Sequence, residues 1–524
     1  MDYKLDTPPV ESDDLSVNNE NHDSQVSKKY GTISDQRDME RMGKKQEMKR
    51  GFGFFSIVGF TCVLMSTWES QLSGGSFGLN NGGPGGLAWM YLIAYTGFLI
   101  AVACMAEMAS MAPTTGGQYH WVSEFSPKRY QKFLSYVSGW LLVLGWQAGV
   151  AINSYLAGTE VQGLIILNYP EYTPERWHGT LMMIAVVIIA VIFNTLLIKK
   201  LPVIEGTILL LHIIGFFAIL IPLWVTSPRK PPSEVFFNFQ DNGGWGSVAG
   251  ACVLGILSPV FSFIGPDSAA HMSEEIKDAS VVLPRAMMGT ALLNGAMGYV
   301  MLISYLICMG NIEEVTKSPT GFPFIQVFYN STQSHAGASI MTSILIVMCI
   351  CGSVSNVATA SREMFAFARD RGMPFSDFLS YVRPGWDIPL NAILVTLVIC
   401  SLLSLINIGS SVAFNALVSL GVAALVGSYI ISTACILHRR LSGGYLPPAR
   451  WSLGRWGVTL NAIAVVYLSL VFAICFFPPS REVTVEGMQW SSLIFGSVVI
   501  FSTIYYFIYG RKVYDGPVVL VKQI

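Results

Sequence analysis

The sequence predicts an all-α integral membrane protein of about 12 transmembrane helices, in which two inverted halves of five each carry a broken first helix (helices 1 and 6). Three observations carry that prediction. Of 524 residues, 52% are hydrophobic and only 12% are charged, against about 25% charged in a soluble domain. After Gly51 the chain divides into about twelve apolar segments, each near the ~20 residues that a bilayer requires. Two of these segments, five positions apart, are interrupted at mid-depth by polar residues, glycine and proline. Breaks at corresponding places in two halves of a chain point to an inverted repeat with a binding site near the midplane.

Residues 1–49 are rich in Asp, Glu, Asn, Ser and Lys and have too few apolar side chains for a core, so they are expected to form a disordered tail. They contain no short apolar run before a small-residue cleavage site, as a secretory signal would. The spans fall at roughly 54–79, 85–111, 133–162, 179–198, 203–225, 247–277, 286–309, 338–366, 389–407, 411–437, 457–476 and 489–509. This gives an inverted-repeat core over 50–437, helices 11 and 12 over 438–510, and a short tail over 511–524.

Lysine and arginine set the orientation. Of 32, all but Arg176, Arg229, Lys230, Lys317 and Arg481 fall in the N-terminal tail or at segment ends on its side of the membrane. The positive-inside rule then makes both termini cytoplasmic. Asn330-Ser331-Thr332 falls in an outer loop, where a glycosylation sequon could be used. The nine cysteines all lie within apolar segments, with no metal-ligand spacing in a loop. They read as small buried hydrophobes, and neither a disulfide framework, a metal nor a cofactor is expected. A net charge of -1 gives no nucleic-acid footprint.

The first span is apolar until Ser66-Thr67-Trp68-Glu69-Ser70 and then turns rich in Gly and Ser. The sixth is interrupted by Ser258-Pro259 and Gly265-Pro266, with Asp267 following at once and His271, Glu274 and Glu275 within two turns. In lipid, broken backbone persists only where protein buries it or a watery cavity lies beside it. An ionisable residue at that depth is a functional-site hypothesis. Ser66 and Thr67 would stand at the N-terminus of the outer half-helix, where amides and dipole favour an anion. Trp68 either faces a cationic head group or packs between helices. Glu69 either pairs with a substrate cation or straps the freed amides. Phe263, Ile264 and Gly265 offer an aromatic lid and open carbonyls suited to an ammonium group. Asp267 could bind the amine, carry a proton or cap the outgoing half-helix. Gln147 and Asn153 on the third span either touch substrate or join helices. Ser355 and Thr359 on the eighth span either line a cation site or serve close packing.

Three stretches carry a family resemblance. Ala106–Val122 (AEMASMAPTTGGQYHWV), Phe263–Pro284 (FIGPDSAAHMSEEIKDASVVLP) and Ser361–Pro374 (SREMFAFARDRGMP) resemble, in order, the motifs at helices 2, 6 and 8 of amino acid–polyamine–organocation permeases. The first helix, Arg176-Trp177-His178 and Asp267 with His271-Met272 resemble the fungal amino acid/choline branch, which includes GABA and choline permeases. The resemblance runs from about Gly51 to Tyr509. It implies a leucine-transporter-like fold at the plasma membrane, with uptake usually driven by protons. Many relatives carry a Gly-x-Gly turn that holds a substrate carboxylate. Here Met65-Ser66-Thr67-Trp68 stands in its place, which leaves room for substrates recognised by their amine. In some proton-coupled relatives a lysine on the fifth helix replaces a sodium ion. His212 lies close to that register and titrates in the right range, so it joins Asp267 as a proton-coupling candidate, with Glu205 expected nearer the cytoplasmic surface. Glu107, Arg362, Arg369 and Asp370, at the cytoplasmic ends of spans two and eight, are expected to form an inner gate of ion pairs.

These readings converge on a secondary active transporter that imports small amine-bearing solutes (an amino acid, GABA or a choline-like cation) with a proton, by alternating access. The alternative on the same scaffold is a non-transporting nutrient sensor. An enzyme is not expected, because no nucleophile–base pair or metal-ligand cluster stands out.

Overall fold

The computed structural model describes residues 31–383, 385–409, 412–484, 488–514 and 516–517. Among them, ten helices are long and apolar enough to cross a membrane. The first and sixth spans complete the twelve as short pieces.

The first span consists of α2 (Phe54–Met65) and α3 (Thr67–Ser73), preceded by α1 (Ile33–Arg41). The remaining spans of the first half are α4 (Gly83–Met111), α6 (Gln131–Asn168), α7 (Arg176–Leu196) and α8 (Leu201–Thr226), with α5 (Gly117–Phe125) between the second and third. The sixth span is divided into α9 (Val248–Gly255), α10 (Leu257–Phe261) and α11 (Ser268–His271). The second half continues with α12 (Ala279–Cys308), α13 (Pro323–Thr332), α14 (His335–Arg369), α15 (Leu390–Ser404) and α16 (Ala413–Leu441). The last two spans are α17 (Gly457–Ile474) and α18 (Ser491–Tyr505).

Corresponding spans of the two halves pack together, the second on the seventh and the third on the eighth. The two broken spans are tied to each other at both ends. On the N-terminal face Phe52 bridges Ile276. On the opposite face β1 (Asn81–Gly82) pairs antiparallel with β2 (Gln240–Asp241). These two pairings join the broken spans on either side of the site. Around the perimeter Val203, Leu210, Ile221, Val466 and Ile500 are exposed, as a lipid-facing surface requires.

Each break has a local cause. Ser66 adopts the left-handed conformation (φ 43°, ψ 48°), ending α2 and restarting the helix one residue later. Its hydroxyl donates to the Val63 carbonyl, supplying a partner that the bend frees. In the sixth span Pro259 and Pro266 remove amide donors. Between them Gly265 takes φ +119°, a conformation that a side chain disfavours.

The tail reading is corrected for residues 31–49, while residues 1–30 lie outside the described residues. Thr32 and Asp35 form a capping box on α1. The Asp35 carboxylate also accepts from the amides of Asp278 and Ala279, each at 2.9 Å, and lies 3.2 Å from Arg50. A polar composition signals too little apolar burial for a free-standing core. Here the transport core supplies the partner surface, so charged side chains hold the segment in place.

Candidate functional site

Between the breaks lies a cavity of about 40 Å³, bounded by Leu64, Met65 and Ser70 of the first span and by Phe261 and Ile264 of the sixth. The third span contributes Trp146, Gly149, Ile152 and Asn153, the eighth Asn356, and the tenth Gly421, Val422 and Leu425. That volume admits on the order of three water molecules, so the site is contracted in this form. Among the described residues, no ionisable side chain lines it. Its polar groups are the amides of Asn153 and Asn356 and the hydroxyl of Ser70. Ser66 Oγ and Asn153 Nδ2 converge above Gly352, each 3.3 Å from where a Cβ would stand.

On the face opposite the N-terminus a vestibule of about 500 Å³ is lined by Ser73, Phe77, Tyr155, Gln162, Arg176 and Phe414, among others. An aromatic layer separates it from the cavity. Phe414 stacks on Tyr155 (centroids 5.5 Å apart) and meets Phe261 edge-on at 5.9 Å.

The N-terminal face is closed by buried ion pairs. Arg369 grips Glu274 through both terminal nitrogens, at 3.0 and 2.7 Å, and Arg362 Nε donates to Glu275 at 2.7 Å. Lys44, from the docked N-terminal segment, pairs with Asp370, which also accepts from Tyr119 at 2.9 Å. Arg41 pairs with Glu124 at 2.7 Å. Burial pushes the Asp370 carboxyl up, but Lys44 and Arg369 outweigh it and hold it below the usual carboxylate range. A depressed carboxyl contributes above its unfolded value and loses that contribution only as pH falls through the lower folded value. The Lys44–Asp370 closure therefore persists through mild acidification.

The sequence-predicted residues separate into those at the cavity and those behind it. Asn153 and Ile264 line it, and Ser66 approaches it. Thr67 Oγ1 donates to the Ser262 carbonyl at 2.8 Å, tying one break to the other. Gly265 packs its backbone against Leu64 and Met65. Gln147 donates to Thr396 Oγ1 at 3.0 Å, joining the third and ninth spans.

Two expectations, for Phe263 and Glu107, are corrected. Phe263 is no lid: its ring sits among Tyr91, Tyr95 and Phe98, centroids 5.0–6.0 Å away, and anchors the break to the second span. Trp68 takes the second of its two readings and packs between helices, facing His212 and Phe216 of the fifth span. Glu107 belongs to no gate with Arg362 or Arg369. It pairs with Arg440 and accepts from Ser452 and the Leu453 amide, fastening the second span to the segment after the tenth. Glu205 is fully buried, accepts from Ser355 Oγ at 3.0 Å, and lies nearer the start of the fifth span than His212.

Asp267 lies outside the cavity lining, with both oxygens engaged. Gln118 Nε2 donates to one at 2.7 Å and the Tyr429 hydroxyl to the other. His271, one turn on, accepts from Trp146 Nε1 at 3.0 Å, which fixes its proton on Nδ1. That N–H points at the Thr115 carbonyl, 2.9 Å away. Glu363 approaches the same nitrogen to 2.8 Å, an electrostatic contact rather than a directed hydrogen bond. Glu69 meets His212 Nδ1 at 2.7 Å behind the first break. Asn330 stands on α13, half-buried, accepting from Gln326 and donating to Glu314.

Trp146, Asn356, Phe261 and Phe414 escaped the sequence reading. Each lies in a helix with neighbours on several sides, where spacing does not reveal which face meets a cavity.

Comparison with known proteins follows the same lines. The family model described as amino acid permease matches residues 52–501. A protein of Macrophomina phaseolina named for amino acid/polyamine transport is 37% identical over 83% of this chain and 97% of its own. The choline transporter of Saccharomyces cerevisiae is 28% identical over 89% of this chain and 82% of its own. Amino-acid permease 2 of Neurospora crassa is 28% identical over 93% and 90%. Among solved structures, the manganese transporter of Eremococcus coleocola superposes with a TM-score of 0.53 at 14% identity, over 87% of this chain and 94% of that one, a likeness of fold.

Proposed function

The chain belongs to the amino acid permease family of multi-pass membrane transporters, and from that premise we propose that it imports small amine-bearing solutes with a proton, by alternating access. The solute class is an amino acid, GABA or a choline-like cation. The membrane is the plasma membrane, with both termini cytoplasmic. Relatives named for amino acid permeation and for choline transport support the class.

The observation that carries the reading is the neutral cavity between the breaks. An ammonium group is held there by the faces of Trp146 and Phe261 and by backbone and amide carbonyls. Aromatic faces attract such a cation by about 2 kcal/mol when the site is dry. No carboxylate is needed, which accommodates both a quaternary amine and a zwitterion. The vestibule admits the solute, the Tyr155–Phe414–Phe261 layer closes over it, and the ion pairs at Arg362, Arg369 and Asp370 then release on the other side. His212, paired with Glu69, holds the coupling proton. Asp267, tied by Gln118 and Tyr429, links the sixth-span break to the moving elements.

The test is competitive uptake of labelled choline and labelled GABA into cells expressing the protein, at about pH 5 and about pH 7.5, with a protonophore control. At least one label accumulates, more at the acidic pH, and the protonophore abolishes the gain. Trp146→Ala raises the KM for that label by about tenfold or more. Protein present at the surface with no accumulation of either label contradicts the reading.

A further inference from the structure

Behind the first span, away from the cavity, runs a line of buried acids that substrate binding does not use. Glu160 of the third span accepts from Ser73 Oγ, and Ser73 lines the vestibule. Glu69 stands one helical turn before Ser73 on the same face of α3, and same-face neighbours at that spacing lie about 6 Å apart. Glu69 meets His212 Nδ1 at 2.7 Å. Glu205 lies two turns before His212 on α8, about 10 Å along the same face, and accepts from Ser355 of the eighth span at 3.0 Å. Its carbonyl approaches Gly59 so closely that a Cβ there would stand 2.5 Å away. The line therefore reaches well into the N-terminal half of the first span.

All four side chains are at most 1% exposed. Among the described residues, Glu160 Oε2, Glu69 Oε2, His212 Nε2 and Glu205 Oε2 have no hydrogen-bond partner. No lysine or arginine among the described residues acts on Glu160 or Glu205. Among the described residues, the thiols of Cys62, Cys349 and Cys351 feel the charge of the line: Cys62 that of Glu69, Cys349 that of Glu160 and Glu69, and Cys351 that of Glu205 and Glu69. Thiols ordinarily titrate far above carboxylates. A membrane-buried carboxylate with no counter-ion is costly, and protonation removes the cost. Such a line serves proton transfer better than it serves packing.

We propose that Glu160, Glu69, His212 and Glu205 form a proton path beside the substrate cavity, leading from the vestibule toward the N-terminal face. This rests on the proton-coupled reading above. Glu160 takes a proton from vestibule water and passes it to Glu69. Glu69 protonates His212 at Nδ1, and His212 releases a proton from Nε2 towards Glu205. The two-turn step is crossed through water admitted when the first span moves. Glu205 discharges to the N-terminal side, water admitted in the same movement carries the His212 proton from Nδ1 back to Nε2 to restore the starting tautomer, and one proton has crossed.

The test uses the full chain in proteoliposomes, with labelled choline and labelled GABA as probes. Two modes are compared: accumulation driven by a proton gradient, and counterflow, which requires no net proton movement. Glu160→Gln and Glu205→Gln each cut driven accumulation by about tenfold or more, while counterflow stays within about twofold. Glu160→Asp and Glu205→Asp, which keep the carboxyl, restore accumulation. A wild-type chain that accumulates label without a proton gradient overturns the coupled reading and the path together. A proton-driven wild type whose Gln variants accumulate normally overturns the path alone. Loss of counterflow together with accumulation makes the carboxylates structural and also overturns it. Infrared difference spectra between acidic and alkaline pH need no transported probe: each Gln variant loses one protonated-carboxyl band that the wild type shows. Unchanged bands contradict the assignment.

Discussion

Arg369→Ala biases the transporter towards the form open on its N-terminal face and lowers driven accumulation by on the order of a hundredfold. The Arg369 guanidinium holds both oxygens of Glu274, which is fully buried. Removing one partner of a buried pair leaves the other charge uncompensated, at a cost of about 3–5 kcal/mol. Opening this face lets water reach Glu274, so the cost falls mainly on the closed form. Labelling at Thr115→Cys, a buried position beside the His271 contact, should then rise from the N-terminal side. Adding Glu274→Gln to Arg369→Ala removes the stranded charge and should recover much of the closed population. Equal accumulation and labelling in Arg369→Ala and the unsubstituted chain would show that the pair merely anchors the interface.

The second large effect is expected at Gly265. Its φ of +119° is strained for any side chain, and a Cβ would also stand 2.6 Å from Leu64 Cδ2. The methyl end of Leu64 can shift, but the dihedral cannot relax without moving the break itself. Strain of this kind costs about 1–3 kcal/mol, so Gly265→Ala should lower both uptake and the thermal midpoint in detergent. Leu64→Ala combined with Gly265→Ala separates the two causes. If the dihedral dominates, the double variant stays defective. If crowding dominates, it recovers.

Much of the fold was legible, because the bilayer restricts what a chain can do. Apolar segments of spanning length were visible directly, and Ser66–Ser70 and Gly265-Pro266 stood out because lipid tolerates neither polarity nor broken backbone without compensation. The breaks identified where the cavity would be. They did not identify which side chains face it. Phe263 and Phe261 are two residues apart beside a bend, and only the path of the backbone decides that Phe261 meets the cavity while Phe263 joins Tyr91, Tyr95 and Phe98. Trp146 and Asn356 lie on helices with neighbours on several sides, so periodicity carried no directional signal.

Charge partners were least legible. Glu107 and Arg440 are 333 positions apart, and Glu274 finds Arg369 through tertiary contact alone. Composition misled at residues 31–49, where Asp35, Arg41 and Lys44 each reach the transport core. Glu160 carried no signal in the sequence, and only burial and serine partners mark out Glu160 and Glu205.

The measurement that tests the central claim most directly is two-sided labelling of Val422→Cys, a cavity residue on the tenth span. A membrane-impermeant maleimide is applied from either side of oriented vesicles, and labelling is scored above that of the unsubstituted chain. Alternating access predicts labelling from both sides, with Arg369→Ala favouring the N-terminal side and the transported amine slowing the reaction from each. Labelling from one side only, or labelling indifferent to that amine, would contradict a carrier site between the two breaks.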